Sequence, residues 1–296
     1  MSLRSFAVRI MFGHSDRKRD QHLKIPEQVL VRRDIPYAPG GKEHLLDVVR
    51  PRNAAAGLPV IVSVHGGGYV YGTKEVYQHY AANLAENGFA VINFNYRLAP
   101  EYPFPAQLED INSVLRWLEM HGAEYGLDLS NVFVVGDSAG AQLASHYLAI
   151  LTDPDFAKLF SFQTPQRLGV RAVALNCGIY NIKPSQWLFA DYLGKRIAPD
   201  DPRINVHGHI TPAFPPAFVM TARYDFLREE AAPMYEHLLA AGVRAEYRLY
   251  GRDGQKYMGH VFHCNLNLAE ARQCNKEECD FFRRHMASEQ EKWRAI

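Results

Sequence analysis

From residue 59 onward, short apolar runs alternate with longer stretches whose apolar residues recur every three or four positions. The runs VIVSVHG, AVINFNYR, NVFVVGD, VRAVALNCG, PAFVMTARYD and RAEYRLYG are rich in β-branched and aromatic residues and read as strands. Most are apolar without strict alternation, the pattern of strands covered on both faces. The clearest helical stripe lies within residues 105–120, where Leu108, Ile111, Leu115 and Leu118 share one face. Runs at 29–38 and 44–51 add candidate edge strands. Strand and helix in alternation predict an α/β fold, a mostly parallel central sheet with helices on both faces.

Two segments depart from this rhythm. Residues 179–214 hold Trp187, Phe189, Tyr192 and several prolines without a strand pattern. Structureless loops of that length are uncommon in compact domains, so the segment is predicted to cap the sheet. At the N-terminus, Leu3, Phe6, Ala7, Ile10 and Met11 recur at helical spacing, with Arg4 and Arg9 and no acid before Asp16. A docked helix, a membrane-surface helix and an organellar targeting peptide all fit. The shortness of the stripe and the acids that follow favour the docked helix.

Composition narrows the class without choosing a function. At 47% apolar and 22% charged residues, the 296-residue chain is ordinary for a soluble globular protein. A net charge of +1 gives no broad attraction to nucleic acid or anionic membrane. No stretch approaches the ~20 apolar residues of a membrane span. The N-terminus lacks the apolar core of a signal peptide. Cys177, Cys264, Cys274 and Cys279 form no disulfide framework and no C-x-x-C spacing, so they read as buried free thiols in a reducing, cytoplasmic setting, with no metal site.

Candidate chemistry centres on FVVGDSAGAQLA, residues 133–144, where an apolar strand gives way to a helix. Ser138 stands between Gly136 and Gly140, the spacing of a nucleophile elbow. Such a turn lifts the serine clear of the backbone, and a Cβ two residues away would strike a neighbouring element. The helix that begins there points its first amides at the same crevice, which makes the Ala139 amide an oxyanion donor. A second donor loop, His65-Gly66-Gly67-Gly68, follows an adjacent strand, with Gly67 and Gly68 as donors and His65 holding the loop in shape. A serine nucleophile needs a base held by a carboxylate. In chain order these follow the serine: Asp225 closes a late apolar strand, and His260 and His263 both follow the last one. Asp253 is a competing acid in that last loop.

Taken together and in order, HGGGYVYG, NYRLAPEYPFPA, VVGDSAGAQLA, TARYDFLREEA and MGHVF resemble the hormone-sensitive-lipase family of α/β-hydrolases, its bacterial esterase branch, over residues 59–263. The resemblance implies the α/β-hydrolase fold in a single domain over 1–296, with a small cap from about 1–28 and 179–214. It implies Ser138 as nucleophile, Asp225 as acid and His260 as base, chosen over His263 because Phe262 stands two positions later. It further implies hydrolysis of short-acyl carboxylic esters without a cofactor, a small-molecule ester as partner, and a homodimer through an edge strand as an unsurprising assembly. Rival readings are a carbohydrate acetyl or feruloyl esterase, an arylformamidase-like hydrolase, and a non-catalytic ligand-binding protein.

Two departures stand out: the acid is followed by Phe226 where the family often has proline, and both cap pieces are short. Trp187, Phe189 and Tyr192 are expected at the pocket mouth, with packing of cap to body as the competing role, and Tyr69 is expected to bind substrate. The NYRLAPEYPFPA stretch reads as scaffold, with Arg97 and Glu101 fixing a loop behind the oxyanion glycines.

Overall fold

The computed structural model describes residues 3–182 and 187–288. In chain order its first half holds α1 (Leu3–Asp20), β1 (Val29–Pro36), β2 (Leu45–Pro51), β3 (Leu58–Val64), α2 (Gln78–Glu86), β4 (Ala90–Phe94), α3 (Ala106–His121) and β5 (Leu127–Asp137). The second half holds α4 (Ala139–Thr152), α5 (Pro154–Ala157), β6 (Val170–Asn176), α6 (Trp187–Leu193), β7 (Ala217–Ala222), α7 (Arg228–Ala240), β8 (Ala245–Tyr250) and α8 (Ala269–Arg284). The strands form one eight-stranded sheet in the order β1-β2-β4-β3-β5-β6-β7-β8. Only β1–β2 and β2–β4 pair antiparallel; every later pairing is parallel.

The apolar runs are continuous because both sheet faces are covered. Along β3, Val60, Val62 and Val64 enter one core while Ile61 enters the other. Along β5, Val132 and Val134 go one way and Phe133 and Val135 the other. Leucines of α3 and α4 and Met234 and Leu238 of α7 fill the first core. Tyr80 and Leu84 of α2 and Phe281 and Phe282 of α8 fill the second. All eight strands fall where the sequence pattern places them, and the helix expected at 105–120 spans Ala106–His121.

The N-terminal helix docks, but through the opposite face from the one its apolar stripe marks. Phe6, Ile10 and Met11 are 49%, 55% and 60% exposed, and Ala7 is exposed beside them. The side chain of Leu3 lies outside the described residues. Inward contacts are mainly polar. The Arg9 guanidinium donates to the Val70 carbonyl at 2.7 Å, the Ala99 carbonyl at 3.1 Å and the Glu101 carboxylate at 2.7 Å. Tyr71 donates to Asp16 at 2.8 Å, Arg19 donates to the Val76 carbonyl at 3.1 Å, and the Ser5 hydroxyl reaches Asp191 of α6. Loop carbonyls that need donors decide this face, and an apolar stripe does not report them.

Arg97 likewise pairs elsewhere than expected. Its guanidinium lies on Asp110 at 2.7 Å and Glu109 at 2.8 Å, both on α3, while Glu101 serves Arg9. The buried Asp110 offers both carboxylate oxygens to one fork, a stronger arrangement than a single exposed pair.

Residues 179–214 contain α6 and two single 3₁₀ turns, Pro202–Ile204 and His207–His209. Phe189, Tyr192, Val206, Ile210 and Phe214 are buried in the first core. Residues 183–186 of this segment lie outside the described residues. No described helix is long and apolar enough to cross a membrane.

Candidate active site

The loops at the carboxyl ends of β5, β7 and β8 bring Ser138, Asp225 and His260 together, at the end of the sheet where open parallel sheets gather ligands. Ser138 sits at the β5–α4 turn with φ 53° and ψ −119°, outside the regions a non-glycine residue ordinarily adopts. The turn is held by its neighbours: the Ser138 amide donates to the Asn176 carbonyl at 2.9 Å, and its carbonyl accepts from Ile179 at 3.3 Å. The glycine spacing has a steric cause. A Cβ on Gly136 would lie 2.2 Å from the Gly140 carbonyl oxygen, and one on Gly140 would lie 2.1 Å from that of Val64. Both obstacles are backbone.

His260 Nε2 lies 3.0 Å from Ser138 Oγ, and His260 Nδ1 lies 2.7 Å from Asp225 Oδ1. The sequence left His260 and His263 in one loop; the structure separates them. His263 is fully buried, edge-on to Tyr80, with its pKa lowered to about 3 by burial. Asp253 is an exposed partner of Arg223 at 2.7 Å.

A short pairing sets the register of acid and base. Tyr224 and Gly259 form a parallel bridge, and the Tyr224 amide donates to the Met258 carbonyl at 3.0 Å. The next residue on each side is Asp225 and His260. Thr221 donates to Asp225 Oδ2 at 2.8 Å and the Leu227 amide donates to Oδ1 at 2.9 Å. Burial would raise the Asp225 pKa, but the His260 bond and charge, the Leu227 amide and Thr221 outweigh it and hold the carboxyl below its ordinary value. Phe226 leaves this intact. Its ring is 73% exposed and lies 4.2 Å from the His260 ring.

In the loop after β3, Gly67 and Gly68 have φ of 114° and 60°, and Tyr69 continues the left-handed run at 66°. Among the described residues, the amides of Gly67, Gly68 and Ala139 have no main-chain acceptor. A Cβ on Gly67 would lie 2.1 Å from the Tyr71 carbonyl oxygen. His65 bonds the Gly66 carbonyl through Nδ1 at 2.8 Å and stacks on Tyr96 at 4.1 Å. Burial lowers its pKa to about 4, so it is neutral at physiological pH.

Sequence reasoning missed Asp137. Its Oδ1 accepts from the Gly66 amide at 3.1 Å, and its Oδ2 accepts from the Tyr77 hydroxyl at 2.8 Å. The residue before the serine thus anchors the glycine loop. Burial raises its pKa to about 6, against the Tyr77 bond, the His260 charge and the Gly66 amide. The one available signal was a charged residue ending an otherwise apolar strand. Glu278 was also missed: it accepts from Asn176 at 2.6 Å and from Tyr80 at 2.9 Å, and burial raises its pKa to about 7.

Tyr69, Phe189 and Tyr192 show no surface at the pocket mouth. Tyr69 stacks on Tyr192 at 3.8 Å, Phe189 lies 6.0 Å from Tyr69, and all three are fully buried. For Phe189 and Tyr192, burial matches the packing role weighed against pocket lining in the sequence. The side chain of Trp187 lies outside the described residues. Cys177, Cys264, Cys274 and Cys279 are free and buried.

A family profile described as alpha/beta hydrolase fold matches residues 61–264. Among characterised relatives, tuliposide A-converting enzyme 1 of Tulipa gesneriana, a chloroplastic protein, is 33% identical over 230 residues, covering 70% of this chain and 57% of that enzyme. The chain therefore spans little more than half the length of the tulip enzymes it matches. The carboxylesterase NlhH of Mycobacterium tuberculosis is 31% identical over 252 residues, 78% of this chain and 77% of that protein. Esterase B of Lactobacillus rhamnosis superposes with a TM-score of 0.88 at 24% identity over 96% of this chain and 94% of that one, a likeness of fold. The thermostable carboxylesterase EstE1, from a metagenomic library, gives 0.78 at 26% identity over 97% and 100%.

Proposed function

Because this chain belongs to the alpha/beta hydrolase fold family, we propose that it is a serine carboxylesterase that cleaves short-acyl esters through an acyl-enzyme. The observation that carries this reading is the unbroken line Asp225–His260–Ser138, with contacts of 2.7 and 3.0 Å. Its likeness to carboxylesterases, the mycobacterial NlhH and EstE1, lends support.

His260 Nε2 takes the Ser138 proton as Oγ bonds to the ester carbonyl carbon, and the oxyanion rests on the Gly67, Gly68 and Ala139 amides. On collapse the imidazolium gives that proton to the departing alcohol. Water then repeats the sequence on the acyl-enzyme and releases the acid. Asp225 stays ionised, keeping the His260 proton on Nδ1 and stabilising the imidazolium. No step calls for a cofactor.

The chain is read as one domain over 1–296, with a cap from about 1–28 and 179–214. The Ser5–Asp191 contact and the Phe104 amide bonded to the Tyr192 carbonyl at 2.7 Å tie these pieces to each other and to the body. Four buried free thiols support a reducing, cytoplasmic setting. A homodimer through an edge strand of the sheet completes the reading.

A fluorophosphonate that traps serine hydrolases tests the assignment. One adduct, located on Ser138 by peptide mass spectrometry and blocked by p-nitrophenyl butyrate, is expected. Labelling at another residue contradicts it.

A further inference from the structure

Cys177 follows β6 with φ 47°, a left-handed conformation uncommon for a residue carrying a Cβ. Its amide donates to the Met220 carbonyl at 2.8 Å. Val261, the residue after His260, is a β-branched residue held at φ 50°. Two residues with left-handed backbones therefore flank Asp225 and His260, Cys177 beside them in space and Val261 next to His260 in the chain, and such strain persists only where the surroundings impose it.

The Cys177 sulfur, an Asp225 carboxylate oxygen and a His260 ring nitrogen all lie within 4.8 Å of one another. Thiolate, carboxylate and imidazole are the ligand types zinc takes, and its bonds of about 2.0–2.3 Å place tetrahedral ligand atoms roughly 3.3–3.6 Å apart. Asp225 and His260 stand closer than that, at 2.7 Å, because they share a proton. Exchanging that proton for an ion asks for ligand shifts of about 1 Å. Thr221 and the Leu227 amide already orient the carboxylate, the kind of outer support that metal ligands use.

We propose that Cys177, Asp225 and His260 form a binding site for one thiophilic divalent cation, zinc or cadmium, and that its occupation reversibly inactivates the hydrolase. Inactivation rests on the acid and base roles given above; binding does not. The ion bonds to Sγ, to Asp225 and to His260 Nδ1, and the Cys177 thiol proton leaves to solvent. His260 keeps its single proton, now on Nε2, where it cannot accept the proton of Ser138. Cys177 has no exposed surface and the Asp225 side chain none, whereas the His260 side chain retains 15%. The ion therefore enters only as the imidazole swings aside, and inhibition develops over time.

The test titrates wild type, Ser138→Ala, Cys177→Ser and Cys177→Ala with cadmium, following the thiolate-to-cadmium charge-transfer band. Hydrolysis of p-nitrophenyl acetate under zinc is measured in parallel, each variant against its own uninhibited rate. One equivalent of band is expected in wild type and Ser138→Ala and none in the Cys177 variants. Zinc should inhibit wild type progressively, EDTA should restore it, and the half-inhibiting concentration should rise at least tenfold without Cys177. A band of equal size in a folded Cys177 variant, or unchanged zinc sensitivity there, overturns the site. A Cys177-dependent band in a wild type that hydrolyses no ester upholds the site and removes the esterase reading.

Discussion

The Gly66 amide donates to the Asp137 carboxylate at 3.1 Å, tying the loop after β3 to the residue that precedes the serine. The proposed nucleophile and the proposed glycine donors sit in loops after different strands, and this bond fixes one loop against the other. Asp137→Ala frees the loop and leaves the Tyr77 hydroxyl without its acceptor. The expected loss in kcat/KM is about 10- to 100-fold, below the ~10²–10³ of deleting a donor outright. Steady-state kinetics on p-nitrophenyl acetate measure it.

The same carboxyl gives a pH dependence of stability. Asp137 titrates at about 6 in the fold against 3.8 ordinarily, because burial disfavours its charge. A raised folded value means that the stabilisation is complete below about pH 4 and is lost as pH climbs through 6. The penalty at pH 7.5 is on the order of 3 kcal/mol. Asp137→Asn keeps an acceptor for Gly66 and cannot ionise. Its stability relative to wild type should therefore improve between pH 4 and 7.5. Urea unfolding at the two pH values decides, and a difference that stays constant with pH counts against the buried charge.

Gly140→Ala places a methyl against the Val64 and His65 carbonyls at 2.1 and 2.6 Å, with no flexible side chain to yield. Destabilisation of about 3 kcal/mol or more is expected, at the upper end of overpacking costs. Guanidinium unfolding midpoints test this, and a change under 1 kcal/mol would contradict the steric account of the turn.

The Tyr192 hydroxyl is buried without a partner among the described residues, while its ring stacks on Tyr69 at 3.8 Å. Tyr192→Phe keeps the stack and removes an unsatisfied polar atom. A gain of roughly 1 kcal/mol follows from the usual cost of such an atom. A loss of that size in thermal unfolding would mean that the hydroxyl has a use this geometry does not reveal.

What could be read in advance was what depends on neighbours in the chain. Gly136, Ser138 and Gly140 declare a tight turn through their own steric needs, and the strands declare themselves through apolar runs bounded by turns. Asp225 and His260 were readable as candidates only, since their meeting depends on the Tyr224–Gly259 bridge between segments 35 residues apart. Asp137 was hidden because its partner Gly66 lies in the loop after a neighbouring strand, 71 residues away. The outward turn of Phe6, Ile10 and Met11 was hidden for a related reason: Arg9 and Arg19 answer loop carbonyls, and periodicity carries no information on those.

Replacing Ser138 by alanine and timing the release of p-nitrophenol from the acetate ester probes the account most directly. Removal of a triad serine typically costs on the order of 10⁶ in kcat, so turnover should fall to near background while circular dichroism stays unchanged. A folded variant that keeps even a tenth of the wild-type rate would mean that some other group attacks the ester.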